Sequence, residues 1–175
     1  AFGMKTLGIY QAAYKISTLP VTEIAGSVNQ VSFPVMSKLK GDRLGFRKIF
    51  MGSIGLIGGI GVIGGIILWM WPREVVLILL GDQWMEAVPL IRILAVFGVV
   101  RSVESGIQPV FLASGKPRVA TTGNFIKVVM LILGLLFLSP FGIEGIAWAA
   151  LLSGVTVVPF YIWQLGRLER SGKLG

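Results

Sequence analysis

Between Ile49 and Pro72 the chain carries no charged residue, and between Gly145 and Gly166 it again carries none. A helix of about 20 apolar residues spans the hydrocarbon core of a bilayer, so each run is long enough to cross it. Composition agrees: 54% of residues are hydrophobic and 14% charged, against about 25% charged in ordinary globular domains. Cysteine and histidine are absent. That excludes disulfides, Cys/His metal sites, thiol nucleophiles and imidazole acid–base chemistry from this chain. The formal net charge of +8 would suit nucleic acid, but its distribution follows the loops, and no nucleic-acid partner is expected. No signal peptide is visible and the chain opens on Ala1, so it reads as a piece from inside a longer protein.

The expected fold is all-α and integral to the membrane, a bundle of five transmembrane helices. They are expected at about 7–36, 49–71, 86–112, 119–138 and 145–163, with a short apolar piece at 75–80 before the turn Gly81-Asp82. The loops carry an orientation signal. Lys38, Lys40, Arg43, Arg47 and Lys48, against Asp42 alone, lie between the first two helices or open the second. Lys116 and Arg118 follow the third helix, and Arg167, Arg170 and Lys173, with Glu169, follow the last. Lys5, Arg73, Glu74, Asp82, Glu86 and Glu144 fall on the opposite side. Five helices separate these two sets without exception. An excess of Lys and Arg marks the cytoplasmic side, which predicts a cytoplasmic C-terminal tail. Trp69, Trp71, Trp84 and Trp148 then lie at the outer interface and Trp163 at the inner one, where an amphipathic indole is favoured.

Gly55, Gly58, Gly59, Gly61, Gly64 and Gly65 crowd the second helix. The spacings Gly55–Gly59 and Gly61–Gly65 fit small-residue packing motifs that let two backbones approach in lipid. Pro20, Pro34 and Pro109 lie in helical segments, each removing a backbone donor, and a kink is expected near Gly106 and Pro109.

The segment from Glu86 to Leu112 places Arg92, Arg101 and Glu104 in an apolar body. A charge at bilayer depth costs roughly 2.5–3.5 kcal/mol on insertion scales, so such residues usually face a bundle interior or a wet cavity. Arg101 and Glu104 are three residues apart and within reach of each other. Arg92 projects from nearly the opposite face, near the outer end, where an arginine can snorkel; Lys127, on the fourth helix, can do the same. Lys15 and Glu23 lie on the first helix, separated by about 80° around its axis. Four cations against two carboxylates leave an unbalanced positive interior, which suits an anionic ligand such as a phosphate or pyrophosphate.

Several stretches carry a family resemblance. Residues 7–20, LGIYQAAYKISTLP, resemble the Gly-x-Tyr-x-x-Ala-Tyr segment of polysaccharide flippases in the multidrug/oligosaccharidyl-lipid/polysaccharide exporter superfamily. Residues 33–42, FPVMSKLKGD, resemble the end of the same helix with its basic loop. Residues 79–95, LLGDQWMEAVPLIRILA, are similar to the family's Leu-Gly-x-x-Trp-x-x-Ala-x-Pro-Leu-x-Arg stretch, and 112–118, LASGKPR, to the turn that follows.

The resemblance implies the C-terminal lobe of a two-bundle transporter of the bacterial inner membrane, whose N-terminal bundle lies outside this chain. It implies flipping of an undecaprenyl-pyrophosphate-linked oligosaccharide to the periplasmic leaflet for O-antigen, capsule or exopolysaccharide assembly. The expected partners are that lipid-linked oligosaccharide, membrane lipids, the N-terminal bundle and the polysaccharide polymerase machinery. Arg101, Lys15, Arg92 and Lys127 are the candidate pyrophosphate ligands. Glu104 and Glu23 are candidates for tuning those cations or coupling a proton or sodium ion, since protonation removes the desolvation cost of a carboxylate. No cofactor, metal or catalytic residue is expected. Three rival readings remain: a multidrug or toxin exporter of the same superfamily, a membrane enzyme acting on lipid carriers, and a non-transporting scaffold for the polymerisation machinery.

Overall fold

The computed structural model describes residues 4–39 and 41–170. Two expected loop cations, Lys40 and Lys173, lie outside the described residues. Among the described residues six α-helices follow in order: α1 (Met4–Lys38), α2 (Arg43–Met70), α3 (Pro72–Leu79), α4 (Val88–Ala113), α5 (Pro117–Leu138) and α6 (Gly142–Arg170). Short 3-10 turns at Asp82–Ala87 and Ser139–Phe141 lead into α4 and α6. The five long helices are those expected, and the apolar piece after Pro72 is a separate short helix. The largest boundary change is in α6, which continues through Arg170, so the first part of the expected tail is helical.

Local sequence explains most of the boundaries. The Asp42 side chain accepts from Gly45 N–H at 3.1 Å and caps the start of α2. Pro72 cannot extend the α2 hydrogen-bond ladder but suits the first turn of α3, where its missing N–H costs nothing. Gly115, at φ +70°, makes the left-handed turn between α4 and α5 that other residues rarely adopt.

The long helices alternate in direction. Met36, Phe46, Phe50, Val110 and Ala113 form one buried cluster with partly buried Leu165, joining the ends of α1, α4 and α6 to the start of α2. Ile9, Leu68, Ala87, Leu90, Ala147 and Leu151 belong to a second cluster at the opposite end. The basic connections therefore share one end of the bundle, as the alternation of loop charges predicted.

Helix α4 is the axis, packed against α1, α2 and α6, while α5 packs chiefly on α6. In α5 only Ala120 and Gly123 are buried, and Phe125, Leu136 and Phe137 are among its exposed side chains. The stretches Arg43–Met70 and Pro117–Arg170 are long and apolar enough to cross a membrane. Apolar residues facing outward suit hydrocarbon, and the chain is an all-α membrane bundle.

Of the two glycine pairs in α2, one brings helices together. A Cβ at Gly61 would overlap Ser102, and one at Gly65 would overlap Val99, both on α4. Gly55, Gly58, Gly59 and Gly64 face open space.

Helix α4 runs through Gly106 and Pro109 without interruption, from Val88 to Ala113. Pro109 leaves the Ser105 carbonyl, its i−4 acceptor, without a helical donor. Asn29 of α1 supplies one instead, donating from Nδ2 at 3.1 Å. Neighbouring helices commonly re-satisfy a carbonyl freed in this way inside a membrane.

Candidate functional site

Helix α4 turns a polar stripe toward α1 and, about 60° around its axis, a largely apolar stripe that carries Glu104. At about 100° per residue, positions 101, 105, 108 and 112 follow one face, and 97, 104 and 111 another. The first stripe meets α1. Together with Thr22, Asn29, Gln30 and Phe33 it lines an open cleft of about 600 Å³. The second stripe turns toward α5 and α6.

Arg101 is half-buried in the cleft, and its Nε is buried without a hydrogen-bond partner. Among the described residues no carboxylate reaches it within ion-pair distance. The cleft lining contains no Asp or Glu, so Arg101 leaves it with net positive charge.

On the other side, Lys127 of α5 donates to Oε2 of Glu104. The Glu104 side chain is only 6% exposed and that of Lys127 20%. The ammonium lies 5.7 Å from the centroid of the Phe97 ring, a cation–π arrangement. Glu104 Oε1 is buried without a partner, beside Gly154 of α6, where a Cβ would stand 3.3 Å from it. Gln108, at the edge of the first stripe, reaches across to the α5 and α6 side. Its Nε2 donates to Asn124 Oδ1 at 3.0 Å and to the Tyr161 hydroxyl at 3.1 Å, while it also lines the cleft. The Tyr161 hydroxyl donates in turn to the Ala120 carbonyl at 3.4 Å.

Arg101 and Glu104, within reach of each other by spacing, are not paired in the described residues. Three residues along a helix place two side chains about 60° apart, and here that difference sends Arg101 toward α1 and Glu104 toward α5. Lys127, expected to snorkel freely or to serve as a ligand cation, is instead held by Glu104. A buried carboxylate needs a partner, and the long lysine stem spans the gap between two helices that touch lightly.

Lys15, Glu23 and Arg92 are all exposed, do not line the cleft, and make no ion pair within the described residues. The structure thus gathers Arg101 alone into the cleft, joins Glu104 to Lys127, and leaves the other three on outer faces. Sequence reasoning passed over Asn29, Gln30, Gln108, Asn124 and Tyr161. Amides inside otherwise apolar helices were the available signal, because an unbonded amide in hydrocarbon costs several kcal/mol, on the order of 4–8.

Residues 1–89 match a family described as polysaccharide biosynthesis protein. The teichuronic acid biosynthesis protein TuaB of Bacillus subtilis is 30% identical over 67% of this chain and 24% of its own length. An uncharacterized membrane protein in the cps region of Klebsiella pneumoniae is 25% identical over 72% of this chain and 26% of its own. The succinoglycan biosynthesis transport protein ExoT of Rhizobium meliloti is 24% identical over 97% of this chain and 34% of its own. The chain therefore spans about a quarter to a third of the length of these relatives. No solved structure matches it.

Proposed function

The chain belongs to the polysaccharide biosynthesis protein family, and from that membership we propose that it forms part of a transporter flipping an undecaprenyl-pyrophosphate-linked oligosaccharide. The movement is from the cytoplasmic to the periplasmic leaflet of a bacterial inner membrane, with the basic end of the bundle cytoplasmic. A relative named as a transport protein supports transport over enzymatic chemistry. Because the chain spans only part of its relatives' length, the working cavity is completed by a further bundle of the same protein.

The observation that carries this reading is Arg101, a cation with a buried, unpartnered Nε in a roomy cleft without carboxylates. A guanidinium in that state gains from an anion with several acceptor oxygens, as a pyrophosphate has. The amides of Asn29, Gln30 and Gln108 and the hydroxyl of Thr22, which line the same cleft, suit the hydroxyls of the adjoining sugars. Lys15 and Arg92 add positive potential from outside the cleft. Glu104 is the coupling residue in this scheme: a proton or sodium ion on its carboxylate would release the Lys127 ammonium and loosen α5 from α4. Glu23, exposed on α1, is the second coupling candidate.

The test is flipping of a lipid-linked glycan by the full-length protein carrying Arg101→Ala. The expected loss is about tenfold to a hundredfold, the worth of one hydrogen bond to a charged group. Undiminished transport at normal expression would overturn the role of Arg101. A drug exporter, which favours apolar cations, is the weaker reading, because the cleft has a cationic and no acidic lining. Formation of glycosidic bonds by the purified protein would favour the enzyme reading.

A further inference from the structure

At the basic end, the first turns of α2 and the last turns of α6 enclose a second cleft, of about 410 Å³. Arg43, Leu44, Phe46, Arg47, Phe50 and Glu169 line it. Arg43 and Arg47 are one helical turn apart, on the same face of α2. Phe46 and Phe50 continue that face inward and are buried. Glu169 stands opposite, on α6. Both arginines and the glutamate are exposed, and within the described residues none is in an ion pair. The cleft therefore offers two free guanidiniums on one wall, a free carboxylate on the other, and an apolar floor.

Two markers fix its depth. The uncharged run of α2 begins at Ile49, just inside Arg47. On α6 the Arg167 guanidinium lies 4.9 Å from the Trp163 ring, and Trp favours the membrane interface. Glu169 is six residues beyond Trp163, about 9 Å along the axis. The charged walls thus lie in the headgroup layer, over a floor of Phe46 and Phe50 buried in the bundle.

We propose that this cleft binds the headgroup of an aminophospholipid, with the phosphate on Arg43 and Arg47 and the primary ammonium on Glu169. The mixed charge selects this occupant. A headgroup carrying only negative charge would satisfy the arginines but meet repulsion from Glu169. A choline headgroup has no N–H to donate to the carboxylate. A pyrophosphate-linked glycan lacks the cation altogether. Lys38, Lys48 and Arg170 draw any anionic lipid to this end of the bundle, and the experiment must separate that general attraction from the cleft. The site is independent of what the cleft at Arg101 carries.

The test uses the purified full-length protein with phosphatidylethanolamine, phosphatidylglycerol or phosphatidylcholine at equal mole fraction. Retained lipid is read by native mass spectrometry and stability by thermal unfolding. The wild type should retain and be stabilised by the ethanolamine lipid most. Glu169→Gln should cut its retention about tenfold, the loss of one charge-assisted hydrogen bond, while sparing phosphatidylglycerol. Arg43→Gln with Arg47→Gln should lose both lipids. Lys116→Gln with Arg118→Gln removes the same charge from the same end, outside the cleft, and should keep the ethanolamine preference. Three results would overturn the proposal: phosphatidylglycerol preferred by the wild type, an unchanged preference in Glu169→Gln, or equal losses in the two double variants.

Discussion

Lys127 of α5 is ion-paired to Glu104 of α4, and the pair bridges two helices that otherwise touch lightly. Each partner suppresses the cost of burying the other. The pair also removes Lys127 from the charges available to a ligand and leaves Arg101 as the unneutralised cation lining the α1–α4 cleft.

Breaking the pair from one side should therefore cost more than removing it. Lys127→Met leaves a buried carboxylate alone and should destabilise the protein by roughly 3–5 kcal/mol. Lys127→Met combined with Glu104→Gln should recover most of that loss. Thermal unfolding in detergent measures both, and a double variant as unstable as the single one would show that the pair is not the source.

The ion pair at the other end of the bundle should behave differently. Lys5 donates to Glu86 at 2.8 Å, but the two side chains are 72% and 62% exposed. Solvent screens such a pair, and Lys5→Ala should change stability by at most about 1 kcal/mol. A loss comparable to that of Lys127→Met would mean that Lys5 has a further partner.

The glycines of α2 should divide into two classes. Gly65→Val places a side chain against Val99 and should destabilise by about 1–3 kcal/mol, the usual cost of overpacking. Gly59→Val meets nothing within the chain and should leave its unfolding temperature nearly unchanged. If Gly59→Val proves as disruptive in the full-length protein, another helix covers that face.

The amide network should be measurable by one atom. Tyr161→Phe removes the hydroxyl that accepts from Gln108 and donates to Ala120, at an expected cost of about 1 kcal/mol. Asn29→Ala removes the donor to the carbonyl freed by Pro109 and should cost about 1–3 kcal/mol, because a buried acceptor is left unbonded. Pairing Asn29→Ala with Pro109→Ala should recover part of the loss, since the restored N–H reaches Ser105 along the helix. No recovery in the double variant would separate Asn29 from Pro109.

Much of the architecture was legible in the residues. The uncharged runs 49–72 and 145–166 fixed spans, and the alternating loop charges fixed their number and mutual direction. The stretches matched by resemblance agreed with the family. The candidate site was less legible. Lys15, Glu23 and Arg92 share the chemistry of Arg101 but face outward, and nothing in their local sequence separates them from it. Asn29 and Gln108 matter through residues 76 and 53 positions away in the chain, beyond the reach of any helical spacing rule.

The sequence by itself determined a helical membrane bundle and which ends of its helices lie together, because hydrocarbon length and loop charge act locally on the chain. Only the tertiary structure decided which buried charges meet. Pairing depends on how α1, α4, α5 and α6 are rotated against one another. That rotation is set by packing, including Gly61 and Gly65 against α4 and Gly154 beside Glu104. A turn of about 60° around α4 separates the neutralised Glu104 from the free Arg101, and one-dimensional spacing could not resolve it.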